Sequence, residues 1–90
     1  MDQMRRLREI ANLESELNCL QREKEVKLQQ YETKRRDLLQ QSSVAITGER
    51  HTELIRQMIE INSQWRRDSD RLNTQILYTN HALNKKRSQN

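Results

Sequence analysis

Two histidines, one cysteine and several closely spaced carboxylates are the residues of this chain whose types could do chemistry. His51 and His81 are distant in sequence, and Cys19 completes no metal-ligand spacing with either of them. Glu14 and Glu16, like Glu23 and Glu25, are two residues apart, so on a helix they point away from each other. No nucleophile–base pair, phosphate-cradling glycine loop or paired carboxylates in a pocket can be assembled from these residues. Cys19 reads as a small, partly buried apolar residue beside a helix seam, and the histidines as surface or seam-edge residues. The expectation is a protein that is not an enzyme and holds no metal or cofactor.

The remaining reactive character is positive charge. Lys and Arg number 17 against 13 Asp and Glu, a net charge of +4 with a pI near 9.6. Arg5, Arg6, Arg8, Lys85, Lys86 and Arg87 would gather into a basic patch if the two ends of the chain meet, and such a patch could hold phosphate. Asp2 and Glu9 are interleaved with it, other basic pairs lie elsewhere, and aromatic residues for base stacking are nearly absent. A small basic dimeric nucleic-acid-associated protein is therefore the alternative reading rather than the leading one.

What would position these residues is helix. The chain has 90 residues, no Pro, no Phe and one Gly, so little interrupts a helix and the length supports one domain at most. Apolar residues recur at Leu54, Met58, Ile61, Trp65, Leu72, Ile76 and Leu83, the period of one face of a long helix, with Asp68 standing where an apolar residue is due. In the first half Ile10, Leu13, Leu17 and Leu20 form a similar seam. It continues through Lys24, Lys27, Tyr31, Lys34 and Leu38, and basic residues there can lay their methylenes on the core. Between the two lies QQSSVAITGE, where Ser42, Ser43, Thr47 and Gly48 favour a turn, Thr47 is the candidate N-cap, and Glu49 and Glu53 suit the positive end of the following helix.

The spacing predicts an all-α chain of two long antiparallel helices forming a coiled-coil hairpin. Their expected bounds are about 2–41 and 48–86, with a turn at 42–48 and a frayed tail at 87–90. If Leu38 lies opposite Leu54, the same register sets Tyr31 opposite Ile61, Lys27 opposite Trp65, Leu20 opposite Leu72, and Lys24 opposite Asp68. The last two would be a register-setting charged pair, since a polar layer in a seam specifies alignment at some cost in stability. Trp65 is expected in the seam beneath the Lys27 side chain, with an anchor for a partner as the other reading.

Val26, Leu39, Ile55, Ile59 and Leu77 fall beside this seam rather than on it. An apolar face wider than a two-helix seam suggests more than two helices in the final packing. The flank is thus the expected partner-binding surface, either for a second copy in a four-helix bundle or for another protein's helices. No apolar run reaches the length of a membrane span, and the N-terminus lacks the pattern of a secretory signal, so the expectation is a cytoplasmic protein.

The Tyr–Leu–turn–Gly–Leu succession of Tyr31, Leu38, Gly48 and Leu54 resembles the stalk family of bacterial type III export ATPases. The Trp65–Leu72–Ile76–Leu83 run is similar to the second helix of export chaperones. What the resemblance implies is a non-enzymatic assembly subunit, adaptor or chaperone that works by helix packing, with no functional residue carried over.

Overall fold

A computed structural model of the chain describes residues 2–44 and 48–88. It is an all-α hairpin of two helices packed against each other, α1 spanning Asp2–Val44 and α2 spanning Gly48–Arg87. Helix α1 runs through Ser42 and Ser43, whose place in the expected turn is thereby corrected. The Ser43 hydroxyl donates 2.7 Å to the Gln40 carbonyl, so the side chain bonds back into its own helix instead of breaking it. Thr47, the candidate N-cap, and its neighbours Ala45 and Ile46 lie outside the described residues, as do Met1, Gln89 and Asn90.

Gly48 is the first residue of α2 and does not use the left-handed backbone that glycine permits. Glu49 stands in that first turn, where its charge favours the exposed N–H groups. The Thr52 hydroxyl donates 2.9 Å to the Gly48 carbonyl, and Glu53 accepts from Arg56 at 2.6 Å and from Gln57 at 3.2 Å. At the other end Lys85, Lys86 and Arg87 fill the last turn, the favourable sign for a helix C-terminus. Arg87 closes the helix rather than opening a tail.

Contacts divide the hairpin into two compact units. One is Glu25–Ser69, the turn half; the other is formed by Met1–Lys24 and Asp70–Asn90, the open half. Within each unit the helices run antiparallel. In the turn half Gln41 meets Arg50, Tyr31 meets Trp65 and Lys27 meets Asp68. In the open half Glu9 meets Lys86, and Glu23 meets Arg71.

Every apolar residue expected in the seam is buried or half-buried: Ile10, Leu13, Leu17, Leu20, Tyr31 and Leu38 on α1, with Leu54, Met58, Ile61, Trp65, Leu72, Ile76 and Leu83 on α2. Leu72 has no exposed surface, and Leu54, Leu83, Leu38 and Tyr31 are nearly as deep. Two corrections concern the spacing. Lys34 is exposed, and the inward series of α1 goes instead through Lys24, Leu28, Tyr31, Arg35 and Leu38. On α2 the buried residue between Ile76 and Leu83 is Thr79, whose polar side chain gave no apolar signal.

The shift from Lys34 to Arg35 has its cause in the step pattern. Both inward series alternate steps of three and four except at one place, where two steps of four follow each other: Leu20–Lys24–Leu28 and Asp68–Leu72–Ile76. Such 11-residue spacing relaxes the left-handed supercoil that strict heptads impose. A strict heptad count carried past Lys24 therefore drifts onto Lys34 instead of Arg35. The unit division falls at the same stretch of each helix.

Two substitutions test this account. A Cβ added at Gly48 meets nothing within 4 Å and the backbone there is ordinary, so Gly48→Ala should stabilise the hairpin by about 0.5 kcal/mol through the unfolded chain. The melting temperature, followed by circular dichroism at 222 nm, should rise by about 2–4 °C. Leu72→Ala, at the deepest position, should cost about 2–4 kcal/mol in a urea titration.

Candidate interaction face

The site begins with a polar layer. Asp68 is half-buried in the seam of the turn half, where an isolated carboxylate would be costly. The Tyr31 hydroxyl donates 2.7 Å to Asp68 Oδ2, and Lys27 Nζ stands 3.8 Å from the same oxygen. Gln64 donates a longer bond, 3.4 Å, to Oδ1 from one turn earlier on α2. The Tyr31 ring packs on Trp65 with centroids 5.5 Å apart and planes tilted by 48°, a favourable offset geometry. Lys34 covers the ring from outside, its ammonium 5.5 Å from the centroid.

This arrangement revises the expected pairings. Lys24 donates 2.6 Å to Asn73 Oδ1 within the open half. Lys27 reaches Asp68, and the ammonium stacked on an aromatic ring is that of Lys34 on Tyr31 rather than Lys27 on Trp65. Tyr31 meets Trp65 and Asp68 where Ile61 was expected. The reason is side-chain direction: in both helices side chains lean toward their own N-terminus, so tips meet partners about one turn farther along α2 than level-by-level alignment implies. Trp65 is half-buried in this layer, consistent with its expected place in the seam.

Around the seam the turn half has two unlike faces. The residue just before each inward position is polar: Lys34, Asp37 and Gln41 on α1, Glu53, Gln57, Glu60, Gln64 and Arg67 on α2. The Arg50 guanidinium donates 2.9 Å to Gln41 Oε1 between the helices on this side. The residue just after an inward position lies on the opposite side. In an antiparallel pair these following positions of the two helices share one face, because a two-fold axis normal to the hairpin relates them. Leu39 follows Leu38, Ile55 follows Leu54 and Ile59 follows Met58, and the three are 59%, 47% and 61% exposed. Three large apolar side chains thus converge in water on one face, with Glu32, Arg36 and Arg66 in equivalent following positions around them.

The two other flank residues do not join this group. Val26 is exposed on α1 in the same unit, two residues before the inward Leu28. Leu77 is exposed in the open half, where Met4, Leu7 and Tyr78 are also exposed large apolar residues. Met4 and Leu7 were not expected as flank residues; Leu7 follows the half-buried Arg6 in a basic segment, and Met4 lies between exposed neighbours.

The basic patch is largely engaged from within. Lys86 Nζ lies 2.6 Å from Glu9 Oε2, Arg5 lies 3.7 Å from the other Glu9 oxygen, and the Arg87 guanidinium donates 2.6 Å to Glu14 Oε1. The hydrogen bond and charge of Lys86 hold the Glu9 carboxyl below its ordinary range. Arg6 Nε is withdrawn from water and has no acceptor among the described residues, while Arg8 and Lys85 are exposed. Three of the six cations would have to leave carboxylates to meet phosphate.

Elsewhere the chemistry is sparse. An open groove in the open half is lined only by α1 residues, among them Ala11, Asn18, Cys19 and Arg22. Cys19 is exposed, not partly buried as expected. His51 and His81 are exposed, and among the described residues no group of three or more His, Cys, Asp or Glu could hold a metal ion. Among them, too, no helix is long and apolar enough to cross a membrane. No protein-family model, curated protein or solved structure matches the chain.

The polar layer is open to test. Burial and the hydrogen bond to Asp68 push the Tyr31 phenol above its ordinary value of 10.0. A raised pKa means the folded state holds this proton more tightly than the unfolded chain. The stabilisation is therefore whole below pH 10 and is lost as pH climbs through the folded-state value. Tyr31→Phe should cost about 1–2 kcal/mol at pH 7 in a denaturant titration and remove this alkaline component. An unchanged alkaline profile would show that Tyr31 is not its source.

Proposed function

We propose that this chain is a non-enzymatic coiled-coil interaction module, an assembly subunit, adaptor or chaperone that binds partner helices through the Leu39/Ile55/Ile59 face. The observation that carries this reading is the convergence of three exposed apolar side chains on one face of the turn half, opposite a face of charges and amides. A scattered apolar residue on a surface needs no explanation, but a contiguous group beside a polar rim is the usual composition of a protein-covered patch. Parallel apolar side chains from two helices also form a shallow channel, the shape that accepts an amphipathic helix through residues at i, i+3, i+4 and i+7.

The module does its work by burial rather than by bond chemistry. The polar layer holds α1 and α2 in register, and the register holds Leu39 beside Ile55 and Ile59. Leu77, Val26 and the exposed pair Met4 and Leu7 give further apolar surface that helices could cover. A cytoplasmic setting, and a type III export apparatus in particular, rests on sequence resemblance at Tyr31, Leu38, Gly48 and Leu54. The nucleic-acid alternative has less in its favour, given the carboxylates on Lys86, Arg5 and Arg87.

Site-specific photocrosslinking in cells is the direct test. A photoreactive residue replacing Ile59 should give discrete protein adducts, while the same residue replacing Glu60 on the polar face should give few. Equal yields at the two positions would overturn the reading.

A further inference from the structure

We infer that the occupant of the Leu39/Ile55/Ile59 face is a second copy of this chain, packed face to face about a two-fold axis that runs parallel to the helices. The inference rests on the interaction-face reading and names its partner.

Two observations lead there. The first is area. The chain exposes 7341 Å², whereas a compact folded chain of 10.9 kDa exposes about 5,600 Å². The difference, about 1,700 Å², is roughly twice what each partner hides in a standard-sized interface. Among the described residues the buried apolar core comprises Tyr31, Leu38, Leu54, Leu72 and Leu83, so covering more surface would add materially to what holds the helices together.

The second is charge complementarity within a single face. Glu32 follows the inward Tyr31, and Arg66 follows the inward Trp65. Because the rings of Tyr31 and Trp65 touch, the side-chain ends of Glu32 and Arg66, one residue on in each helix, come to about one level of the turn half, on the face that also bears Leu39, Ile55 and Ile59. Among the described residues no ion pair engages either of them. A two-fold axis parallel to the helices preserves level and sets α1 of one copy over α2 of the other. Leu39 of each copy then seats against Ile55 and Ile59 of its mate, and Glu32 meets Arg66 of the mate, twice per dimer. An axis perpendicular to the helices would instead set α1 over α1 of the second copy and leave Glu32 away from Arg66. The face is therefore self-complementary in one orientation, as an isologous interface requires.

Sedimentation equilibrium of the full chain tests this, with circular dichroism confirming that each variant stays helical. The wild type should be a dimer at micromolar concentration, and Ile59→Asp should be monomeric and helical. Glu32→Arg alone and Arg66→Glu alone should each weaken the dimer about tenfold, since each places like charges together at two points. The double exchange Glu32→Arg with Arg66→Glu should recover most of the loss. A wild type that is monomeric at 100 µM, or a dimer insensitive to both single reversals, would overturn the second-copy assignment. The crosslinking contrast between positions 59 and 60 is independent of that result: adducts to other proteins in a monomeric chain would leave the interaction face standing with a different occupant.

Discussion

A carboxylate placed halfway into a two-helix seam dominates this structure. Asp68 cannot be desolvated cheaply, and the groups that satisfy it, the Tyr31 hydroxyl and the Lys27 ammonium, come from the other helix. Sliding one helix by a turn would separate the carboxylate from both and bury it against aliphatic neighbours. The apolar layers on either side contribute most of the favourable area but tolerate slippage, since Leu against Leu differs little from Leu against Ile. A misaligned pairing would leave the polar layer unsatisfied, which favours the observed alignment over one shifted by a turn. The Tyr31–Trp65 ring contact packs beside that layer.

Much of the fold was legible in the spacing of apolar residues. The recurrence from Leu54 to Leu83 and from Ile10 to Leu20 marks two helices, whereas Ser42 and Ser43, read as turn residues, belong to α1 and Gly48 to α2. The position of Asp68 in the seam was legible for the same reason, as a gap in an otherwise regular series. Its partners were not. Register counted residue by residue treats side chains as if they stood perpendicular to the helix, and leaning toward the N-terminus moves the tips by about a turn. Thr79 escaped because burial of a small polar residue leaves no mark in an apolar pattern. Arg35 escaped because the doubled step of four moves inward positions from 27 to 28 and from 34 to 35, while Tyr31 and Leu38 stay on both counts.

The candidate face was legible as an excess: Ile55, Ile59 and Leu39 had no place in a two-helix seam. Which of the flank residues belong together required three dimensions. The position immediately after an inward residue places Leu39, Ile55 and Ile59 on one face, while Val26 stands two residues before an inward one. The basic patch shows the opposite lesson. Six cations converging at one end looked available in sequence, but Glu9 and Glu14 occupy three of them.

Those same ion pairs have a mechanical meaning. Tension applied between the stretch around Glu9 and the stretch around Lys86 pulls the helices of the open half apart crosswise, at the end where they are clasped. The load falls first on Glu9–Lys86 and Glu14–Arg87, then on the next layer, so the contacts fail one after another like the teeth of a zip. Tension along the helices would load all the layers of a unit together and meet far greater resistance. A hairpin clasped in this way yields readily to a puller that grips both strands at the open half, and stands firm against one that drags a single helix lengthwise.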